Sequence, residues 1–239
     1  LQRIVSHIPP GKASLDNVSI VIPTLNAART LGACLDCLSE AGGAEILVVD
    51  GGSCDDTVTR ALARGATVTY AARGRGIQLR AGADRASRSW LLFLHADTHL
   101  QAGWSQTVDA WARRASAPDG YGVFDFKLDD SGWRARLLEC LVHVRVRLLG
   151  LPYGDQGLLV HRNLYAKIGG FADIPLMEDV DLVRRLGKSR LTVFKASATT
   201  SAERWRRDGW VRRSLRNLTC LALFHLGVPP DRIARIYER

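Results

Sequence analysis

Two short apolar runs, each stopping at an aspartate, constrain this chain more than any other feature. Trp90–Leu94 reads as a buried strand and ends on His95-Ala96-Asp97. Glu45–Val49 is a second such run, stopping at Asp50 and followed by Gly51-Gly52-Ser53. Short, continuously apolar strands belong in a sheet covered on both faces. In such a sheet ligands bind in the crevice beyond the carboxyl ends of the strands. Two strand-end aspartates, each followed by a turn, therefore predict one polar site at the top of one sheet. The whole segment Arg73–Asp97 is a glycine-punctuated turn, a helix and the first of these strands.

The rest of the chain supports an α/β reading. Val18–Ile22 is a β-branched run closed by Pro23, and Thr67–Tyr70 is a third strand. Ala27–Leu38 places Leu31, Leu35 and Leu38 on one helical face, with Thr24 or Asn26 as its cap. Asp55 or Asp56 caps a helix through Ala63, and Gly65 ends it. Gly103–Ala115 is helical through Trp104, Val108 and Trp111, and Tyr121–Leu128 alternates as a half-exposed strand does. Trp133–Leu149 is a helix whose apolar stripe is bordered by arginines. A turn at Pro152–Gly157 leads into the strand Leu158–His161, and a helix from Asn163 ends at Gly169-Gly170. Leu176–Leu182 opens a helix with Glu178, Asp179 and Asp181 in its first turns, where acids favour the positive helix end. Asp208–Leu226 is amphipathic, with Arg212, Arg213 and Arg216 opposite an apolar side, and Pro230–Tyr237 is a last helix. Strands alternating with helices predict a mostly parallel central sheet flanked by helices, with a C-terminal helical extension.

Size and composition set the bounds. A chain of 239 residues can bury a substantial core as one domain. No apolar run approaches the ~20 residues of a membrane span. The first residues carry no signal-peptide pattern, and five scattered cysteines fit a reducing cytosol. Cys34 and Cys37 form a CxxC inside a helical pattern with no second pair nearby, which favours packing over metal or redox use. A formal charge of +9 points to an anionic partner, whether nucleic acid, a phosphorylated small molecule or an acidic membrane surface. From Glu203 onward nine arginines face four acids. The expected organisation is a polar lead-in over 1–17, a catalytic unit over 18–202, and a basic amphipathic helical tail over 203–239 packed on it or beside it.

Five strings in register carry a resemblance. SIVIPTLNAARTL, EILVVDGGSCDDT, the GxxxQxRxGxxxA pattern of Gly74, Gln78, Arg80, Gly82 and Ala86, then LFLHAD and GGF…MEDVDLVRRL resemble the glycosyltransferase family 2 proteins of the GT-A (Rossmann-like) fold. The HAD triplet, PYGDQG and the basic tail look closer still to a small bacterial subfamily associated with arsenosugar biosynthesis. The resemblance implies transfer of a sugar from a nucleotide-diphosphate sugar, a UDP-sugar above all, to an acceptor hydroxyl, with inversion. It implies that Asp97 ligates Mn2+ or Mg2+, which acts as a Lewis acid on the leaving diphosphate. Asp179, with Glu178 beside it, would take the proton of the attacking hydroxyl. Asp50 would meet the nucleobase, and Pro23, Thr24 and Asn26 would line base and ribose. The acceptor is not named by the sequence, and lipid-linked and small-molecule acceptors both stay open.

Departures from the family pattern matter. One metal carboxylate is missing, because His95-Ala96-Asp97 stands where the family usually has two aspartates. His95 is then a ligand, a ribose contact or a packed neutral imidazole. Arg80 replaces a common asparagine and either pairs with the diphosphate or points to solvent, while Arg73 or Arg75 offers a second phosphate contact. Asp155 and Gln156 suit hydrogen bonding to acceptor hydroxyls, against plain turn chemistry. A cytoplasmic protein is expected, with peripheral contact at the inner membrane face through the basic tail as one use of that tail and a homodimer as another. Two other readings compete. A nucleotidyltransferase of similar layout usually has an early glycine-rich basic loop, whereas Pro23-Thr24-Leu25-Asn26 stands there. A non-enzymatic nucleic-acid or membrane binder has no use for the converging acids, and no nucleic-acid-binding motif is present.

Overall fold

The computed structural model describes residues 13–114 and 116–237. Most of the expected lead-in, 1–12, lies outside the described residues. The strands are β1 (Val18–Thr24), β2 (Glu45–Asp50), β3 (Thr67–Tyr70), β4 (Trp90–Phe93), β5 (Thr98–Leu100), β6 (Tyr121–Leu128), β7 (Leu158–His161) and β8 (Leu191–Thr200). They form one sheet in the order β3-β2-β1-β4-β7-β6-β8-β5. The first four strands are parallel, with Thr24 beside Asp50. Strand β7 runs antiparallel to both β4 and β6, and β5 antiparallel to β8. The sheet is therefore mixed, parallel at the half that carries the two strand-end aspartates.

Helices α1 (Ala28–Leu38), α2 (Thr57–Leu62), α3 (Arg75–Arg85) and α4 (Trp104–Ala112) alternate with these strands. They are followed by α5 (Trp133–Leu149), α6 (Arg162–Lys167), α7 (Glu178–Leu186), α8 (Glu203–Asp208), α9 (Trp210–His225) and α10 (Pro230–Tyr237). The sheet divides two apolar layers. Ile20, Ile22, Leu92 and Leu94 face α1 and α4 on one side. Val21, Val49, Leu91 and Phe93 face α3 and α7 on the other. This alternation is the period-two pattern of a strand buried on both faces.

Two local features set the strand ends. Gly82 lies where α3 crosses the sheet, and a Cβ there would fall 2.3 Å from Val21 Cγ1. Only glycine lets α3 approach so closely. From the same helix the buried Gln78 Nε2 donates to the Thr24 carbonyl at 2.7 Å and the Val49 carbonyl at 2.8 Å. One side chain thus ties the ends of β1 and β2 together. The cap expected of Thr24 or Asn26 on α1 does not form. Asp55 reaches across instead and accepts from the Ala28 N–H at 3.1 Å. Asn26 turns to the Cys54 N–H at 2.9 Å, because its left-handed backbone (φ 52°) aims it at that loop.

Candidate active site

A cleft of about 510 Å³ opens at the carboxyl ends of β1 and β4. Pro23, Thr24, Asn26, Arg73, His95 and Asp97 line one part of it. Tyr153, Asp155 and Asp179 line another, and Trp205, Arg213 and Tyr237 come from the C-terminal helices. Among the described residues only Asn26 and Met177 are non-glycines with positive φ, and both line this cleft. Strained backbone that gathers at one cleft is a mark of a functional site.

The acids are anchored by different means. Strained Met177 precedes α7, and the turn it makes delivers Glu178 and Asp179. Asp179 Oδ2 accepts from the Gly154 N–H at 2.8 Å, and its Oδ1 from the Val180 N–H at 2.8 Å. Glu178 is buried and ion-paired with Arg75, the first residue of α3, whose side chain stays 34% exposed. Burial raises the Glu178 carboxyl above its ordinary value, with Asp179 adding to the rise and Arg75 opposing it. Burial works against the Arg75 charge, but Glu178 and Asp179 together hold the guanidinium protonated. The Asp155 carboxyl is pushed up to about 6, first by burial and then by Asp179 and Asp97, while Arg145 and Arg75 pull it down. Its Oδ1 is buried without a hydrogen-bond partner. His95 is held neutral, first by burial and then by Arg75 and Arg204. Arg145 fixes the loop that carries Asp155, stacking 3.5 Å from the Tyr153 ring centroid and donating to the Leu151 carbonyl at 2.9 Å.

Three expected site residues lie elsewhere. Asp50 is buried beneath the cleft with both oxygens engaged. Oδ1 accepts from the Gly52 and Ser53 N–H groups, and Oδ2 from the Ser53 and Thr24 hydroxyls. Burial opposes its charge, but these four donors hold the carboxyl below its ordinary value. A carboxylate offers about four acceptor positions, and here four local donors occupy them. Arg80 is exposed outside the cleft and donates to the Phe171 carbonyl at 3.4 Å. Five residues along a helix rotate it about 140° from Arg75. Gln156 is buried, donating to the Phe124 carbonyl at 3.0 Å, and holds the loop to β6. Tyr153 and Arg204 are cleft residues that the sequence motifs left without a role. Arg73 and Arg75, offered by the sequence as alternative phosphate contacts, both line the cleft, with Arg75 directly after Gly74 at the start of α3.

The CxxC lies on α1 with Cys34 buried and Cys37 half-buried. Burial, above all, raises both thiols above their ordinary value, which disfavours the free thiolate.

Residues 19–150, more than half of the chain, match the model of the family described as glycosyl transferase family 2. The chain belongs to that family. Over 91 residues it is 38% identical to the PGL/p-HBAD biosynthesis glycosyltransferases of Mycobacterium tuberculosis and Mycobacterium bovis. That match covers 34% of this chain and 36% of each relative, so the chain spans about a third of their length. These relatives correct the expected placement in an arsenosugar subfamily. Among solved structures the chain is similar to Mycobacterium tuberculosis glucosyl-3-phosphoglycerate synthase in complex with Mn2+, UDP-glucose and phosphoglyceric acid. The TM-score is 0.53 at 20% identity, covering 74% of this chain and 68% of that one. It is also similar to Staphylococcus aureus TarS 1-349 in complex with UDP-GlcNAc, with a TM-score of 0.60 at 15% identity, covering 77% and 58%. At these identities the similarity establishes the shared GT-A type of fold.

Proposed function

We propose that this family 2 member transfers a glycosyl group from a UDP-sugar to an acceptor hydroxyl, with inversion, in the cleft above β1 and β4. The observation that carries the reading is the meeting of Asp97, Asp155, Asp179 and the Glu178–Arg75 pair in that one cleft. The donor lies at the Pro23, Thr24, Asn26 and Arg73 end, and the acceptor at the Tyr153, Asp155 and Asp179 end. Residues 18–202 form the catalytic unit, and the helices of the tail complete its cleft through Arg213 and Tyr237.

The chemistry assigned to each residue follows from its environment. Asp179 is the general base. The Gly154 N–H fixes its carboxylate, and a positioned carboxylate takes the proton as the hydroxyl attacks the anomeric carbon. Arg75 keeps its charge while partly exposed, so it stabilises negative charge that develops on the leaving diphosphate. Neutral His95 packs against Gly154 and offers a ring nitrogen for hydrogen bonding to the donor. Asp155 is a second candidate base, favoured by its unpartnered Oδ1 and by a carboxyl poised near neutrality.

The family implies a divalent cation, and the donor set fits a limited form of that role. Among the described residues no group of three or more His, Cys, Asp or Glu side chains is arranged to hold a metal. Asp97, with the unpartnered Asp155 oxygen nearby, fits an ion such as Mn2+ or Mg2+ that draws its other ligands from the diphosphate and water. When bound, such an ion neutralises the diphosphate as the glycosidic bond breaks. Calorimetric titration with UDP, UDP-glucose and GDP-mannose, with and without manganese, tests the reading. Manganese-dependent binding of the uridine nucleotides is expected, and binding of none of the three overturns it.

A further inference from the structure

Helix α5 has one face packed and one face bare. Ala135, Val142 and Val146 are buried in a cluster with Phe126 and Leu128. Trp133, Leu137, Leu141, Val144 and Leu148 are between 47% and 70% exposed. At ~100° per residue these five fall within an arc of about 80°, on the side away from the packed face. Arg134 borders one edge of the arc, and Arg136 and Arg147 the other. Arg134 lies over the Trp133 ring, 5.3 Å from its centroid. The one acid of the helix, Glu139, is buried, accepting from the Leu128 N–H at 2.9 Å and pairing with Arg136 at 2.6 Å. The bare face therefore presents apolar groups and cations but no anion. Helix α9 repeats the pattern. Val211, Leu215 and Leu218 are 58% to 73% exposed, and Trp210–His225 contains no acid. Its Trp210 packs against the same cluster as the inner face of α5.

We infer that the exposed face of α5 docks the protein on an anionic lipid surface. The apolar stripe enters the boundary between head groups and acyl chains, and Arg134 and Arg147 meet the lipid phosphates. A contiguous stripe of five large apolar side chains marks an interaction surface. The charge pattern selects the partner. A two-fold pairing of α5 with a second copy, parallel or antiparallel, would set arginine-bordered edges against each other with no acid exposed on the helix to offset them. An acidic bilayer satisfies both the stripe and its borders. Among the described residues no helix is long and apolar enough to cross a membrane, so the contact is lateral. This inference does not depend on the reaction proposed above.

Co-sedimentation of the full chain with phosphatidylcholine vesicles, with and without phosphatidylglycerol, tests it. The chain is expected to sediment with the phosphatidylglycerol vesicles only, and less as salt is raised. L137Q/L141Q is expected to lower partitioning about tenfold or more, with unchanged thermal unfolding because both side chains are exposed. R134Q/R147Q is expected to cost about fivefold per arginine. The inference is overturned if the unmodified chain binds neither vesicle or if L137Q/L141Q binds as well as the unmodified chain. A dimer in solution that L137Q/L141Q dissociates would overturn it too, by assigning the face to a second copy.

Discussion

The Gly154 N–H donates to Asp179 Oδ2 at 2.8 Å, joining the loop before β7 to the first turn of α7. Gly154 also lies against His95, and a Cβ on it would fall 2.6 Å from Nε2 and 3.3 Å from Asp179 Oδ2. Gly154→Ala therefore displaces two cleft side chains at once. Displacements near 1 Å can cost about a hundredfold in rate. A loss of transfer of about that size is expected with little change in melting temperature. Steady-state kinetics beside thermal unfolding checks it.

Asp179→Asn keeps the shape of the side chain and removes its basicity. Transfer is expected to fall by about 10² to 10⁴, the usual contribution of a general base. Donor affinity, measured by calorimetry, should change little. Equal loss of both would make Asp179 a structural residue instead.

Arg75 and Glu178 call for a double-mutant cycle. Glu178 is 1% exposed, so Arg75→Ala strands a buried carboxylate. Removing one partner of a buried pair costs about 3–5 kcal/mol. The double variant with Glu178→Gln is expected to recover part of that loss in denaturant unfolding. Additive losses would show that the two side chains do not interact.

Asp155 predicts a pH signature. Its folded-state value of about 6 lies above the ordinary 3.8. The folded protein then holds the proton more tightly than the unfolded chain, and stability falls as pH rises through this window. Asp155→Asn removes the charge that burial penalises. It is expected to stabilise the fold by up to about 3 kcal/mol above pH ~6, and by little below pH ~4. If Asp155 is also the base, the acidic limb of the rate profile near pH 6 disappears with it. Thermal unfolding and kcat/KM measured across that range separate the two effects.

Much of this architecture is legible in the sequence because it rests on short-range pattern. The apolar runs at Val18–Ile22 and Trp90–Leu94 announce strands, and the helix Trp133–Leu149 and the strands Tyr121–Leu128 and Leu158–His161 appear with the expected bounds. Strands β5 and β8 are not announced. Thr98–Leu100 is very short, and Leu191–Thr200 mixes Lys195 and several Ser and Thr with its apolar residues. The residues that line the cleft were legible where a motif follows a strand or opens a helix, as at Asp97 and Asp179. They were not where side-chain direction decides. Asp50 ends β2 as expected, yet four local donors consume its carboxylate. Arg80 and Arg75 share one motif, and helix rotation alone chooses between them.

The tail inverts the usual amphipathic logic. Its apolar residues Val211 and Leu215 are exposed, while Arg213 is buried. Arg213 pairs with Asp208 at 3.3 Å and hydrogen-bonds the Tyr237 hydroxyl beneath its stacked guanidinium. Hydrophobic periodicity assigns such a helix the wrong inner face, since long-range pairing decided which side turned inward.

Pro23, at the end of the first strand, and Tyr237, in the last helix, line the same cleft. During synthesis the sheet can assemble as its strands leave the ribosome, but the cleft lacks a wall until α10 has emerged. A nascent chain halted before that helix would carry the cleft acids Asp97, Asp155 and Asp179 yet not the wall that Tyr237 supplies. Nucleotide retention by stalled chains of increasing length would thus report when the last wall is in place.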